Sequence, residues 1–508
     1  MSLRRRVICL GASFLACATL ACGKGPPVQV LGDSTRLRAN EPSPKVSPFF
    51  DGERVHLRGA RGETLGVEVR IADGRERLVT LELGGGIGVK SFAVGALEVK
   101  EPSTDMYGPS TGRGRYPDVL RPTTGAVPSS ELAYFDVVIP EHAEPGRYTG
   151  SLRIDQRALP VTLDVSRAKI VLDHAPLVWV FYAPSELARL HGVPDDDSPA
   201  ELALEARYYE LFRAHGALLA SDLSPARTAA RRDFMHDVKY WPVAIDTSSD
   251  EAITRDTRAF IEEFRGTGVT PFAIPVDEPK TRAQKQRARH IADVIGAAGG
   301  GRPLLLRAVT DARDPIYGDA IDLYFSPDNF PAVAAEQRGS GVRFWTYNGR
   351  PPAAGSMILD TEGTALRTWG WIAQKYGIDL WYAWEGLYFS DRYNDRTPTD
   401  VLHDPVTFDE RTNPRGGSDF GNGDGLLAYP NALPSLRLKA LRRGLQDRLL
   451  LRELERCGGS EAAQKLVARV VPRALGAAKG SPSWSLSEPA WEAAREELLD
   501  DVEAACRD

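Results

Sequence analysis

The spacing of apolar residues changes character near residue 170, and that change does most to limit the fold. Before it, Leu65, Val67, Val69 and Ile71 alternate with polar neighbours, as do Val79, Leu81 and Leu83 and, later, Leu159, Val161, Leu163 and Val165. A period of two turns one side of a strand to a core and the other to water. Asp73-Gly74, Gly84-Gly85-Gly86 and Pro145-Gly146 supply the turns between these stretches. No helical pattern follows the glycine run, so it is not a dinucleotide loop. Residues 26–170 are therefore expected to form an all-β sandwich, with Pro160 confining its strand to an edge.

After Lys169, eight short apolar runs alternate with helical stretches. They are Leu177–Phe181, Ala217–Ala220, Pro242–Ile245, Thr270–Val276, Leu304–Leu306, Ile321–Phe325, Arg343–Tyr347 and Leu380–Trp384. Repeated βα units of this number place the chain in the α/β class. They predict a (β/α)8 TIM barrel over residues 175–455. An open doubly wound sheet is the alternative, but no Gly-x-Gly-x-x-Gly opens the first unit. From Pro434 onward Leu438, Leu441, Leu445 and Leu449 recur at spacings of three and four, the stripe of an amphipathic helix. Residues 456–508 read as a C-terminal helical extension.

Arg4, Arg5 and Arg6 precede an uncharged apolar run from Val7 to Ala21, shorter than the ~20 residues a spanning helix needs. Residues 1–21 therefore read as a signal peptide of the lipoprotein type. Ala18-Thr19-Leu20-Ala21-Cys22 resembles a lipobox, which would make Cys22 the lipidated first residue. Cys17 as the acceptor, and plain cleavage after Ala21, are the competing readings. The expected location is the cell envelope, periplasmic or outer surface, with the lipid as the one attachment to membrane. Cys9 and Cys17 leave with the signal, so Cys457 and Cys506 remain in the body. An exported compartment allows a disulfide between them, and two buried thiols are the other reading. Neither Cys-x-x-Cys nor His-Glu-x-x-His occurs, and no metal or cofactor is expected. With 63 Lys and Arg against 69 Asp and Glu, a formal charge of −6, a nucleic-acid partner is not expected.

Side chains that do chemistry in a βα barrel sit at the carboxyl ends of its strands. The run Thr270–Val276 leads directly into Asp277-Glu278-Pro279. Adjacent carboxylates repel, so one of them should hold its proton more tightly, as a general acid must. Capping of the following helix is the plainer reading of the same pair. Trp345, Trp381 and Trp384 fall at predicted strand ends with Tyr347 and Tyr388 close by, and flat aromatic faces suit sugar rings. Some of these rings must instead fill the barrel core. Asp419, Asn422 and Asp424 carry oxygens that calcium accepts, but the closing Glu of an EF-hand is missing, which favours bracing of the loop. His215 and His236 are further pocket candidates, the former better explained by its helix end. Arg367 and Arg437 are expected to pair with Asp360 and Asp447 beneath the site.

Val276-Asp277-Glu278-Pro279 resembles the Asp-Glu-Pro signature of glycoside hydrolase family 123. Gly423-Asp424-Gly425, Tyr429-Pro430 and the stretch Pro434 to Asp447 resemble the end of that family's barrel and the domain of unknown function 4091. Arg115-Tyr116-Pro117-Asp118 and Pro145-Gly146 with Tyr148 and Gly150 resemble motifs of its preceding sandwich. The resemblance covers most of residues 40–455. It implies an N-acetylgalactosaminidase-like glycoside hydrolase that acts on 2-acetamido sugars in a glycan or amino-sugar polymer. The mechanism it implies is substrate-assisted: the acetamido carbonyl attacks, Glu278 serves as acid and then base, and Asp277 orients the acetamido group. The hydroxyl of Tyr347 is expected, from its position, to bind the attacking carbonyl.

The chain departs from the family at Trp384-Glu385-Gly386, where an uncharged segment is more usual. Glu385 is therefore a rival second carboxylate, and with Glu278 it would make a two-carboxylate retaining glycosidase. A non-catalytic glycan-binding lipoprotein with a degenerate barrel is the alternative from another class.

Overall fold

The structure is a computed structural model that describes residues 27–38, 41–42, 47–71, 74–170, 176–302, 304–329, 341–396, 400–413 and 416–506. The signal segment and Cys22 lie outside the described residues.

Ten strands form two five-stranded sheets. One runs in the order β1 (Val28–Leu31), β3 (Thr64–Ile71), β8 (Leu132–Val138), β5 (Gly88–Val99), β6 (Gly114–Thr123). The other runs β2 (Val55–Arg61), β10 (Arg157–Lys169), β9 (Gly146–Ile154), β4 (Arg77–Leu83), β7 (Val127–Ser129). The alternating residues of both sheets meet in one apolar cluster, with Val67, Val69, Phe135 and Val137 from the first and Leu57, Leu81, Leu152 and Leu163 from the second. Pro160 lies in an inner strand, not at an edge. Its β10 pairs with β9 from Arg157, but the parallel ladder with β2 begins only at Val161. The missing N–H thus falls just ahead of the second ladder.

The remaining strands are β11 (Val178–Val180), β12 (Ala217–Leu219), β13 (Tyr240–Pro242), β14 (Thr270–Ala273), β15 (Leu306–Val309), β16 (Leu323–Phe325), β17 (Arg343–Tyr347) and β18 (Trp381–Ala383). They form one parallel sheet in the order β12-β11-β18-β17-β16-β15-β14-β13, so the first strand of the series lies beside the last. The sheet is curled. Trp179 on β11 touches both Phe272 on β14, at 5.1 Å between ring centroids, and Phe325 on β16, at 6.5 Å. Strands that far apart in a flat sheet could not share an aromatic core. The seam between β12 and β13 carries no strand ladder; beyond the strand ends, Ala244 N–H donates to Leu223 O across it at 3.0 Å.

A long helix, Leu436–Arg456, joins the two units. Leu438, Leu441 and Leu445 are buried as their spacing requires, yet the charged face is buried too. Arg437 pairs with Asp118 at 2.9 Å, Lys439 and Arg442 with Asp136 at 2.6 and 2.7 Å, all reaching acids of the two-sheet unit. Arg437 therefore does not pair with Asp360 or Asp447 as expected. Asp447 receives Arg367 at 2.8 Å, while Asp360 accepts from the backbone and hydroxyl of Ser103. Gly444 lies where this helix crosses Thr368–Tyr376. A Cβ on Gly444 would come within 2.3 Å of Arg367 O, and one on Gly370 within 2.0 Å of Gly444 O. The chain ends in helices Ser460–Val470 and Glu488–Ala505. Cys457 and Cys506, just past the ends of the first and last of these three helices, form a disulfide with Cα atoms 5.1 Å apart. Among the described residues no helix is long and apolar enough to cross a membrane.

Candidate active site

The carboxyl ends of the parallel strands bring together the acids that the sequence singles out and several groups that it does not. Strand β14 stops at Ala273 rather than Val276, as Pro275 has no N–H to donate, and Asp277-Glu278 follow in the loop. Glu278 has a left-handed backbone, φ 39°, a sparsely used conformation for a non-glycine residue that clusters at functional sites. Thr310, just past β15, holds the pair together: its hydroxyl donates to Asp277 Oδ1 at 2.6 Å and accepts the Glu278 N–H at 2.6 Å. The Glu278 carboxyl turns elsewhere. Tyr347, at the end of β17, donates its hydroxyl to Oε1 at 2.7 Å, and Lys280 donates to Oε2 at 2.7 Å. Partial burial pushes the Glu278 carboxyl up, but the hydrogen bonds from Lys280 and Tyr347 outweigh it and hold the group below its ordinary value. The expectation that repulsion would keep a proton on one member does not hold for Glu278, because its carboxyl faces a cation and a phenol.

Tyr347 thus spends its one donor on Glu278 and not on an open position. The aromatic residues separate by strand alternation. Trp345 is two residues deeper than Tyr347 on the same side of β17 and is enclosed by Tyr240, Phe272 and Phe325. Trp381 points outward from β18 and stacks on Trp369 at 4.8 Å. Tyr388 is fully buried with its hydroxyl on Asp391 at 2.8 Å. None of these three presents a face to a ligand, which corrects their reading as stacking platforms. Trp384 keeps part of its surface; its Nε1–H donates to Asp424 at 3.1 Å, and its ring adjoins Tyr393, which is 52% exposed.

Glu385 does not reach open space. It is fully buried, and Arg392 closes it with an ion pair. Burial pushes its carboxyl up to about 8 in spite of that cation. Asp419, Asn422 and Asp424 brace their loop: Asp419 accepts from the Thr104 hydroxyl at 2.9 Å, and Asn422 donates to Glu101 O at 3.0 Å. Gly425, at φ 67°, lets this loop lie against Glu385 and Tyr388, whose Cβ atoms stand 3.0 and 2.9 Å from where its own would be. Among the described residues the one cluster with the spacing of a metal site is Glu453 with Cys457 and Cys506, whose sulfurs are bonded to each other. His215 is buried beside Lys439 and Arg442, away from these strand ends.

Sequence reading missed Asp222, Thr310, Tyr382 and Tyr107. Asp222 follows β12; burial, with Asp277 adding to it, pushes its carboxyl up to about 6. Tyr382 on β18 points inward, stacks on Trp179 at 4.2 Å, and feels the charges of Asp277 and Asp222. Reading every strand end for polar residues, and not β14 alone, finds Asp222 and Thr310. Tyr107 comes from the two-sheet unit, and no local signal marks it.

A solved structure shares this arrangement of a curled parallel sheet and two five-stranded sheets. A family 123 glycoside hydrolase from Clostridium perfringens superposes with a TM-score of 0.65 at 12% identity, over 94% of this chain and 98% of that one. A family 2 glycosyl hydrolase from Bacteroides cellulosilyticus, 10% identical over 73% of this chain and 52% of its own, reaches a TM-score of only 0.29, too low to weigh. No family model matches the chain, and no curated protein matches it. The likeness to the family 123 enzyme is one of fold and spans both units.

Proposed function

We propose that the chain is a glycoside hydrolase of the family 123 type acting on 2-acetamido sugars, with the acetamido group as internal nucleophile. The observation that carries this is the contrast between carboxylates at the strand ends. Asp277 and Glu278 stand together at the open end, linked by Thr310, whereas Glu385 is enclosed with Arg392. A retaining enzyme with two protein carboxylates needs both beside the sugar, about 5–5.5 Å apart, and Glu385 is not free to serve. In the proposed reaction the acetamido oxygen attacks the anomeric carbon while Glu278 protonates the departing oxygen. Asp277 accepts the acetamido N–H and steadies the oxazolinium cation. Glu278 then takes a proton from water as it opens the ring, and the configuration is retained. Lys280 is 74% exposed, so its hold on Glu278 is weak and yields when a sugar enters and excludes water. Burial then raises Glu278 toward the protonated form an acid needs.

The fold context of this reading is a (β/α)8 barrel, residues 175–455, opened at the β12–β13 seam and preceded by a β-sandwich, residues 26–170. The neighbour in Clostridium perfringens is described in connection with glycolipid glycan hydrolysis, which supports a glycan substrate. Export with a lipid on Cys22 is part of the same proposal, and the Cys457–Cys506 bond suits an oxidising compartment. The test is a set of aryl glycosides differing at C2 and C4. Turnover is expected for 2-acetamido substrates and loss of it for the 2-hydroxy analogues; equal turnover of both would refute the internal nucleophile. No turnover on any substrate would leave the glycan-binding alternative.

A further inference from the structure

Trp384 is held by both of its N–H groups, and the two acceptors come from different loops. Its backbone N–H donates to Asn348 Oδ1 at 2.9 Å, and its indole Nε1–H donates to Asp424 Oδ1 at 3.1 Å. Each acceptor is itself fixed. Asn348 follows Tyr347 directly and has a left-handed backbone, φ 48°. Its N–H donates to Tyr382 O at 2.7 Å, and its carbonyl accepts from Trp381 Nε1–H at 2.8 Å. Asp424 is fully buried in the loop Gly423-Asp424-Gly425. The Thr407 hydroxyl donates to Asp424 O at 2.7 Å, and Tyr388 N–H donates to Gly425 O at 3.0 Å. Gly425 also bounds the ring, since a Cβ there would come within 3.0 Å of Trp384 Cζ2.

Strand alternation tells which way this ring faces. On β18, Trp381 points outward and Tyr382 inward, so Trp384, just past the strand end, returns to the inward side. Tyr382 pairs in register with Tyr347 on the neighbouring β17, and their rings stand 6.4 Å apart. Trp384 therefore lies beyond that pair, toward the carboxyl ends of the strands. It is partly exposed, and the exposed Tyr393 adjoins it at 5.8 Å. An indole already pinned at both N–H groups has little freedom left to lose when a sugar packs on it, which favours the contact.

We propose that Asn348 and Asp424 are positioning residues for sugar binding: together they hold the Trp384 ring as a fixed wall at the open end of the curled sheet, and the 2-acetamido sugar packs against it. This deepens the glycosidase reading and rests on it. Asn348 ties the wall to the strand whose Tyr347 holds Glu278, so acid and wall keep one separation. Asp424 sets the tilt of the ring from the other side. The Gly-Asp-Gly stretch thereby gains a role beyond bracing its own loop.

The experiment measures kcat and KM of full-chain variants on p-nitrophenyl 2-acetamido-2-deoxy-β-glycosides of galacto and gluco configuration. A stacking contact made alike in the bound substrate and the transition state raises KM when it is lost and spares kcat. Asn348→Gly keeps the left-handed backbone and removes one acceptor; Asp424→Ala removes the other. Each should raise KM about 3- to 10-fold, the size of one hydrogen bond, with kcat within about twofold. Asp424→Asn keeps an oxygen for the indole and should recover most of that rise. Trp384→Phe has no indole N–H, so in that background Asp424→Ala should add nothing, while Asn348→Gly should still act. An Asp424→Ala effect of equal size with and without the indole N–H overturns the inference, as does an unmoved KM in Asn348→Gly. Calorimetry of the methyl 2-acetamido-2-deoxy-β-glycosides on Glu278→Gln protein reads the same factors without turnover. If the unaltered chain cleaves none of these substrates, the glycosidase reading fails, and an affinity unmoved by Asn348→Gly and Asp424→Ala overturns the wall separately. Absence of both turnover and binding overturns the two together.

Discussion

Two loops of the curled sheet end a strand near a glutamate and treat it in opposite ways. After β14, Glu278 meets Tyr347 and an exposed lysine, stays 40% exposed in its side chain, and is held below its ordinary value by those partners. After β18, Glu385 meets Arg392, is shut off from water, and is pushed up to about 8 by burial. A strand end is therefore not enough to make an acid useful. What differs is the cation. Lys280 reaches from solvent on a flexible stem, while Arg392 is pinned a second time by Glu186 at 2.6 Å and lies 4.8 Å over the ring of Tyr388. A cation fixed from three sides cannot withdraw to admit a substrate.

The sharpest way to break this contrast is to neutralise each acid in turn. Glu278→Gln should lower kcat by about a thousandfold, within the span of general-acid contributions, and Glu385→Gln by less than about threefold. Equal losses would restore the two-carboxylate reading. Next in size is the effect of removing each cation on stability. Arg392→Ala takes from the buried Glu186 and Glu385 the cation they share and should cost about 3 kcal/mol in urea unfolding. Lys280→Ala should cost less than about 0.5 kcal/mol, since an exposed pair contributes little.

Two smaller effects depend on pH. In the proposed reaction Glu278 acts in its protonated form, so kcat/KM should fall as pH rises through its value in the free protein. Lys280→Met removes a group that favours the charged form, so this falling limb should move to higher pH. A limb that stays in place would mean another group limits the rate. Glu385 works in the other sense. Its folded value, about 8, lies above the unfolded 4.5, so the folded chain keeps a proton that the unfolded chain has lost. The stability this proton supplies is complete below pH 4.5 and is lost as pH rises to about 8. Urea melts across that window should fall more steeply for the unaltered chain than for Glu385→Gln.

Much of this contrast was legible in the sequence, though not all of it. The apolar runs touch all eight parallel strands, because a strand covered on both faces is mostly apolar, but Pro242–Ile245 and Leu304–Leu306 meet β13 and β15 at one residue each. Their ends were less legible: β14 stops at Ala273, two residues ahead of a proline that has no N–H, and hydropathy does not mark that point. Asp277-Glu278 stood out as adjacent acids past a strand. Glu385 looked equivalent, because the arginine that closes it comes from a loop seven residues on whose path no local pattern fixes. Trp345 and Trp381 misled for a related reason. Their positions along the strands were read, but the side to which each pointed depended on the register with Phe272 and Trp369. For Leu436–Arg456 the sequence marks the apolar stripe but not the partners of its cations, since Asp118 and Asp136 lie more than 300 residues earlier.

That helix limits how such a chain can be rebuilt. Arg437, Lys439 and Arg442 discharge into the first unit, whereas Leu438, Leu441 and Leu445 fill the second. Neither half can be exchanged for a cousin's without carrying across the matching counter-ions, because an orphaned cation in an apolar seam costs several kcal/mol. Grafting a different front unit therefore means transplanting Asp118 and Asp136 with it.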